Sequence, residues 1–161
     1  MKKTKLIILA FIAAALLSIA ALGGVGLFDG LLWPDEAYAQ GGDTSDVQLL
    51  ARAINGEARG EPYEGQVAVG AVILNRTKDS RFPKTIPGVI YQPGAFTAVS
   101  DGQINVPIDP DSTVVKAARD AMNGWDPTNG AVYYYNPATA TSSWIWSREI
   151  VITIGKHNFA K

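Results

Sequence analysis

The sequence predicts an α+β fold: a helical core with a small antiparallel β-sheet near the C-terminus. Three observations carry the prediction. Apolar residues recur at helical spacing from Leu49 and again from Val114, and "GQVAVGAVIL" (residues 65–74) is apolar nearly all round. The last thirty residues change to aromatic and β-branched alternation, the signature of short strands.

The N-terminus is set aside first. Lys2, Lys3 and Lys5 precede an unbroken apolar stretch of 17 residues, Leu6 to Leu22, and Ala37 and Ala39 in "AYAQ" offer small residues for cleavage. Residues 1–39 are therefore expected to be a signal peptide, or an N-terminal membrane anchor if uncut, since a bilayer span takes roughly 17–25 residues. Removing them leaves 122 of the 161 residues, enough for one domain. The leader carries three lysines and three acids, so the net charge of −1 is unchanged by its loss, and nothing electrostatic points to nucleic acid. With no cysteine in the chain, disulfides, thiol catalysis and thiolate metal sites are all excluded.

Residues 40–46, with the glycine-led "GGDTSD", read as a linker whose Ser45 or Asp46 caps a helix. Leu49, Leu50, Ala53 and Ile54 mark its inner face, and Gly56 is expected to end it, which delivers Glu57 to its exit. Glu61 followed by Pro62 suggests a second helix start. The all-round apolar 65–74 segment, with small residues at Ala68, Gly70 and Ala71, should be buried and closely approached. Between Arg81 and Pro110 the density of proline and glycine predicts a structured loop region with one short helix near Val89. Asp111 or Ser112 should cap a third helix ending at Gly124. "AVYYYNP" from Ala131 reads as a strand stopping at Pro137. "REIVITIGKHNFAK" reads as a hairpin turning at Gly155 and Lys156, with Ile150, Ile152 and Ile154 alternating against Val151 and Thr153.

Several chemistries lack their parts. His157 is the only histidine, so HExxH and multi-histidine metal sites cannot be built, and neither a GxSxG elbow nor a P-loop occurs. Carboxylate chemistry survives. Glycosidic cleavage needs a carboxylic acid to protonate the leaving oxygen, with a pKa raised by partial burial. Glu57, in "NGEARGE" (55–61), leaves an apolar helix at the end where dipole and desolvation both oppose negative charge. Spacing alone equally allows a solvated turn in which Glu57, Arg59 and Glu61 pair with one another.

"ARAINGEARGEPYEGQVAVGAVILNR", "FPKTIPGVIYQPGAFTAVSDGQI", "GAVYYYNPATATSSWI" and the closing "GKHNF" together resemble the catalytic domain of spore cortex-lytic enzymes and cell-wall hydrolases of the SleB and CwlJ type. The likeness covers nearly all of residues 46–161 and assigns 47–161 as the catalytic domain. It implies a lysozyme-like, lytic transglycosylase-like fold and cleavage of peptidoglycan glycan strands, in spore cortex during germination. On that resemblance Glu57 is the acid/base. The implied reaction is lytic transglycosylation to 1,6-anhydromuramyl ends, without a cofactor or metal. The alternatives are a true muramidase or glucosaminidase, with Glu61, Glu64 or Asp101 as second acid, and a wall-binding module without turnover. Peptidoglycan of cortex or vegetative wall is the expected partner, and the place of action is outside the cell: cell wall, cortex or medium. Membrane contact would come only through an uncut leader, and whether a second protein regulates or stabilises the enzyme is left open.

A sugar cleft needs flat apolar surfaces and polar groups for hydroxyls and acetamides. Phe96, Thr97, Gln103, Tyr134, Tyr135 and Asn136 are the candidate substrate contacts, with core packing the competing role for each aromatic. Trp144 and Trp146 face the same choice. Glu61 and His157 are auxiliary candidates whose structural roles, capping and hairpin hydrogen bonding, weigh more.

Overall fold

The structure, a computed structural model, describes the backbone from residue 35 and side chains from residue 45 to Lys161. The apolar stretch of the expected leader, Leu6 to Leu22, lies outside the described residues. Among those described, no helix is long and apolar enough to cross a membrane.

Helix α1 spans Asp35–Ala58 and α2 spans Tyr63–Lys78. The all-round apolar segment is the centre of the fold: every residue of α2 from Gly65 to Ile73 is buried. Val67, Val69, Val72 and Ile73 are wholly removed from solvent, each contributing about 1.5–3 kcal/mol. Small residues let neighbours come close. A Cβ at Gly70 would stand 3.0 Å from Ile54 Cδ1 of α1 and 3.1 Å from an Ala121 Cβ on helix α5 (Thr113–Met122). Helix α5 closes with Gly124 at φ +99°, its amide bonded to Ala121 O and that of Trp125 to Asp120 O. This is the Schellman closure that the glycine signalled.

Between α2 and α5 the proline-rich region holds α3 (Ile86–Ile90), α4 (Thr97–Ser100) and a 3₁₀ turn at Gln103–Asn105. The helix expected near Val89 is α3; α4 is too short for its pattern to announce it. The sheet follows: β1 (Tyr133–Tyr135), β2 (Ile150–Ile154) and β3 (His157–Ala160), all antiparallel in the order β1-β3-β2. The turn between β2 and β3 is Gly155-Lys156, with Gly155 at φ +59°.

Polar groups at the end of α2 fix where β1 lies. Asn75 Nδ2 donates to Ala131 O at 3.1 Å and to Asp126 Oδ2 at 2.9 Å, and Arg76 Nε donates to Val132 O at 2.7 Å. Burial opposes the Asp126 charge, but hydrogen bonds from Thr128, Asn75 and Gly130 outweigh it and hold that carboxyl below its ordinary range.

Four local expectations change, while Ser112 takes the expected N-cap position of α5. Neither Ser45 nor Asp46 caps a helix, because α1 runs through residues 40–46. Gly56 does not end α1 either; the helix continues two residues to Ala58, and the missing Cβ serves packing instead, since one at position 56 would overlap Ala98 Cβ. Pro62 stands at the N-cap of α2 rather than inside its first turn, and Ser112 caps α5 without a side-chain hydrogen bond. Of the alternating isoleucines only Ile154 enters the core; Ile150 and Ile152 are exposed. Both lie on the outer part of an edge strand, and the β2-β3 register is irregular between them.

Gly56→Ala should destabilise the fold by about 1–3 kcal/mol, the usual penalty for overpacking. Gly60→Ala, at a site with nothing within 4 Å, is the neutral control. Denaturant unfolding of the two variants checks the contrast.

Candidate active site

Helix α1 buries Leu50, Ala51, Ala53, Ile54 and Ala58, and so fixes the direction of its last turn. Glu57 stands in that turn, half-buried. Because Gly56 has no side chain, the α4 backbone can cross it closely, and the Ala98 amide donates to Glu57 Oε1 at 3.2 Å. From the sheet, Tyr134 Oη donates to Glu57 Oε2 at 3.0 Å. Both carboxyl oxygens are thus held by segments about 40 and 80 residues away in the chain.

Tyr134 is a durable donor. Burial above all, then the charge of Glu57 and the bond to it, push the phenol well above its ordinary value, with Arg76 pulling the other way. Arg76 lies 5.2 Å from the Phe82 ring centroid and 5.4 Å from that of Phe96. Its own pKa is lowered by desolvation, which the neighbouring Tyr134, Tyr133 and Glu57 partly offset.

The segment after α4, with its 3₁₀ turn, is tied to the end of α1 by polar bonds. Asp101 accepts from Gln103 N at 3.0 Å and from Gln103 Nε2 at 3.1 Å, while Gln103 Oε1 accepts from Arg59 at 3.0 Å. Arg52 donates to Ile104 O at 3.4 Å.

Glu61 and His157 form the other flank. Glu61 Oε2 accepts the Lys156 amide at 2.8 Å and fills the space where a Cβ at Gly155 would be. His157 is 9% exposed; its ring meets Tyr134 edge-on at 5.4 Å, and Nδ1 has no hydrogen-bond partner, with Glu61 Oε2 at 4.0 Å. Desolvation lowers the His157 pKa against the pull of Glu61 and Glu57, with Lys156 acting in the same direction as burial.

The structure brings Glu57 and Tyr134 into direct contact, with His157 against Tyr134; Gln103 is bonded to Arg59, two residues after Glu57 in the chain. Thr97 is exposed at the start of α4, next to the amide that meets Glu57. Phe96 is 3% exposed and packs beneath Arg76. Tyr135 is buried, 5.2 Å edge-on from Trp146, and Asn136 Oδ1 accepts the Ala138 amide at 2.9 Å; neither makes a hydrogen bond to Glu57. Two groups escaped the sequence reading. The Ala98 amide carries no signal in its side chain. Arg76 carried one: a cation two residues after the all-round apolar run 65–74 of the central helix.

A half-buried glutamate at a helix end, faced by a helical core and a small antiparallel sheet, defines a lysozyme-like domain. A family model described as Cell Wall Hydrolase matches residues 60–160, and the chain belongs to that family. It is 60% identical over 117 residues to the spore cortex-lytic enzyme of Bacillus cereus, covering 73% of this chain and 44% of that protein. To the spore cortex-lytic enzyme of Bacillus subtilis it is 56% identical over 121 residues, covering 75% and 39%. The chain thus spans less than half the length of these relatives. The catalytic domain of the Bacillus cereus SleB protein matches with a TM-score of 0.70 at 58% identity, over 73% of this chain and 91% of that one. The catalytic domain of the germination-specific lytic transglycosylase SleB from Bacillus anthracis matches with a TM-score of 0.69 at 59% identity, over 72% and 93%.

Two outcomes follow. Tyr134→Phe should lower kcat roughly tenfold or more with little change in KM, because it removes a donor to the carboxyl group and no surface; steady-state kinetics on purified wall check this. His157 in the fold has a pKa below its unfolded value near 6.5. As pH falls through about 6.5 the unfolded chain takes up this proton first, so stability drops until the depressed folded pKa is reached. Thermal unfolding between pH 7.5 and 5 should show that slope, flattened in His157→Gln.

Proposed function

We propose that this chain cleaves peptidoglycan glycan strands by lytic transglycosylation, with Glu57 as the single acid/base, and that its substrate is the cortex of germinating spores. The observation that carries the reading is the clamp on Glu57, one oxygen to Tyr134 and the other to the Ala98 amide. The names of the similar cortex-lytic enzymes and of the similar germination-specific lytic transglycosylase support the substrate and the reaction type.

Tyr134 steadies Oε2 with the shorter bond, which leaves Oε1, with its 3.2 Å amide contact, as the oxygen that lends the proton. Protonation of the oxygen linking muramic acid to glucosamine lets the C1–O bond break, and glucosamine leaves with that proton. The carboxylate then takes the proton of the muramyl 6-hydroxyl as O6 closes on C1. One carboxyl group gives and regains one proton, and no water is consumed. Of the candidate second acids, Glu61 is engaged with the hairpin turn and Asp101 with Gln103, while Glu64 stands exposed in the first turn of α2; for the first two this favours a reaction that does not call on them. Gln103 and Thr97 are the polar side chains in this reading that would meet sugar hydroxyls and acetamides. Because the wall lies outside the membrane, the protein acts after export, in line with the basic, apolar leader expected over residues 1–39.

Cortex and vegetative peptidoglycan digested with the purified chain should yield anhydromuramyl ends by mass analysis. Reducing ends would replace transglycosylation with hydrolysis. Glu57→Gln keeps the size and loses the proton donor, so turnover should fall at least a hundredfold; unchanged turnover would remove Glu57 from the reaction.

A further inference from the structure

Beside the Glu57 clamp lies a second concavity of about 280 Å³, floored by Arg76 and walled by Phe82, Tyr133 and Trp144, with Gln92 at its rim. Its volume suits one amino-acid-sized or sugar-sized group rather than a length of polymer. The charge around it is unbalanced. Arg76, Arg81 and Arg148 all approach the Tyr133 ring, at 6.0, 5.7 and 5.7 Å from its centroid. Arg81 is committed to Asp79 through two hydrogen bonds. Arg76 and Arg148 are in no ion pair among the described residues. Arg148 lies 5.0 Å from the Trp144 ring, and its Nε is buried with no hydrogen-bond partner.

Aromatic faces attract a guanidinium, yet they do not neutralise it or accept its N–H groups in the plane. Two half-buried cations in no direct ion pair, one with an orphaned donor and the other met by Glu57 only at longer range, are costly unless an anion completes them. A carboxylate is the planar anion that a guanidinium fork fits, and the three rings would cover an aliphatic stem behind it. The pocket is also within electrostatic reach of the clamp, since Arg76 and the Glu57 and Tyr134 side chains act on one another.

We propose that the Arg76 pocket is a carboxylate-binding subsite that takes an acid group carried by the muramyl substituent beside the scissile bond. This rests on the peptidoglycan reading above. Two sources share that chemistry, the carboxylates of the stem peptide and the lactyl carboxylate left where a stem has been removed.

The test measures cleavage by the full chain of three forms of one glycan preparation: native stems, stems with carboxylates converted to amides, and stems removed by an amidase. The native form should be cut with kcat/KM about tenfold above the amidated form, mostly through KM, the size of one charge-assisted bond. Denuded strands cut as well as native ones show that the freed lactyl carboxylate also fills the subsite; strands cut as poorly as the amidated form restrict it to the stem carboxylates. In Arg76→Gln the native-to-amidated ratio should fall to about one, whatever the absolute rate. If that variant fails to fold, Trp144→Ala on the exposed rim should lower the ratio in the same direction. Equal cleavage of native and amidated strands by the unaltered chain, or a ratio that neither variant moves, overturns the subsite while leaving the cleavage reading intact. Should no form be cut, tryptophan-fluorescence titration of Glu57→Gln protein with native and amidated soluble muropeptides decides separately. A tenfold preference for the native one supports the subsite, and equal or absent binding rejects it.

Discussion

A carboxylate at the exit of an apolar helix has to be met by donors, and most of this architecture can be traced to how they are supplied. The bond from Tyr134 to Glu57 crosses 77 residues of sequence. It forms only if β1 lies across the end of α1, and that position depends in turn on α2. Its last turn grips the backbone of Ala131 and Val132 through Asn75 and Arg76. Upstream in the same helix, small residues bring α1 and α5 close enough to keep that turn in place. The central helix is therefore both the core and the ruler that sets the distance from Tyr134 to Glu57.

The second donor depends on a different economy of volume. An amide can approach a carboxyl at a helix end only if the intervening residue has no side chain. Gly56 meets that condition, and α4 passes where a methyl group would otherwise stand. A stiff helix, a stiff strand and a short helix thus converge on two oxygen atoms and hold that carboxyl group in one orientation. The cost falls on local sequence preference: a glycine is accepted inside the last turns of α1, where it weakens the helix by roughly 0.5–1 kcal/mol relative to alanine.

That substitution of purpose explains where the sequence was legible and where it was not. Periodicity reports which side of an element meets the core. The buried run of α2, the α5 helix with its Gly124 closure and the Gly155-Lys156 hairpin were accordingly readable from the residues. Gly56 reads as a terminator because termination is the commoner reason for a glycine after an apolar helix; the reason that applies here lies 42 residues downstream, at Ala98. Ile150 and Ile152 alternate correctly for a half-buried strand, yet on an edge strand only the end that carries Ile154 reaches the core and they stay in solvent. Among the three tyrosines of β1 alternation required one orientation for Tyr134 and the other for Tyr133 and Tyr135, without saying which faced Glu57. The resemblance supplied Glu57 itself; its donors needed coordinates.

Glu61 completes the argument about the chemistry. It sits four residues from Glu57, yet its Oε2 is occupied by the Lys156 amide and enclosed by the turn at Gly155, where no Cβ would fit. Drawing it away to activate a water molecule would strand that amide and open the hairpin whose His157 packs against Tyr134. A hydrolase built here would loosen the support of its own acid each time its base worked. A transglycosylase meets no such conflict, because the nucleophile is the substrate's own hydroxyl and the proton returns to the group that lent it. Fixing Glu61 in the hairpin and leaving Glu57 alone in the last turn of α1 is the division of labour that a one-carboxylate reaction favours.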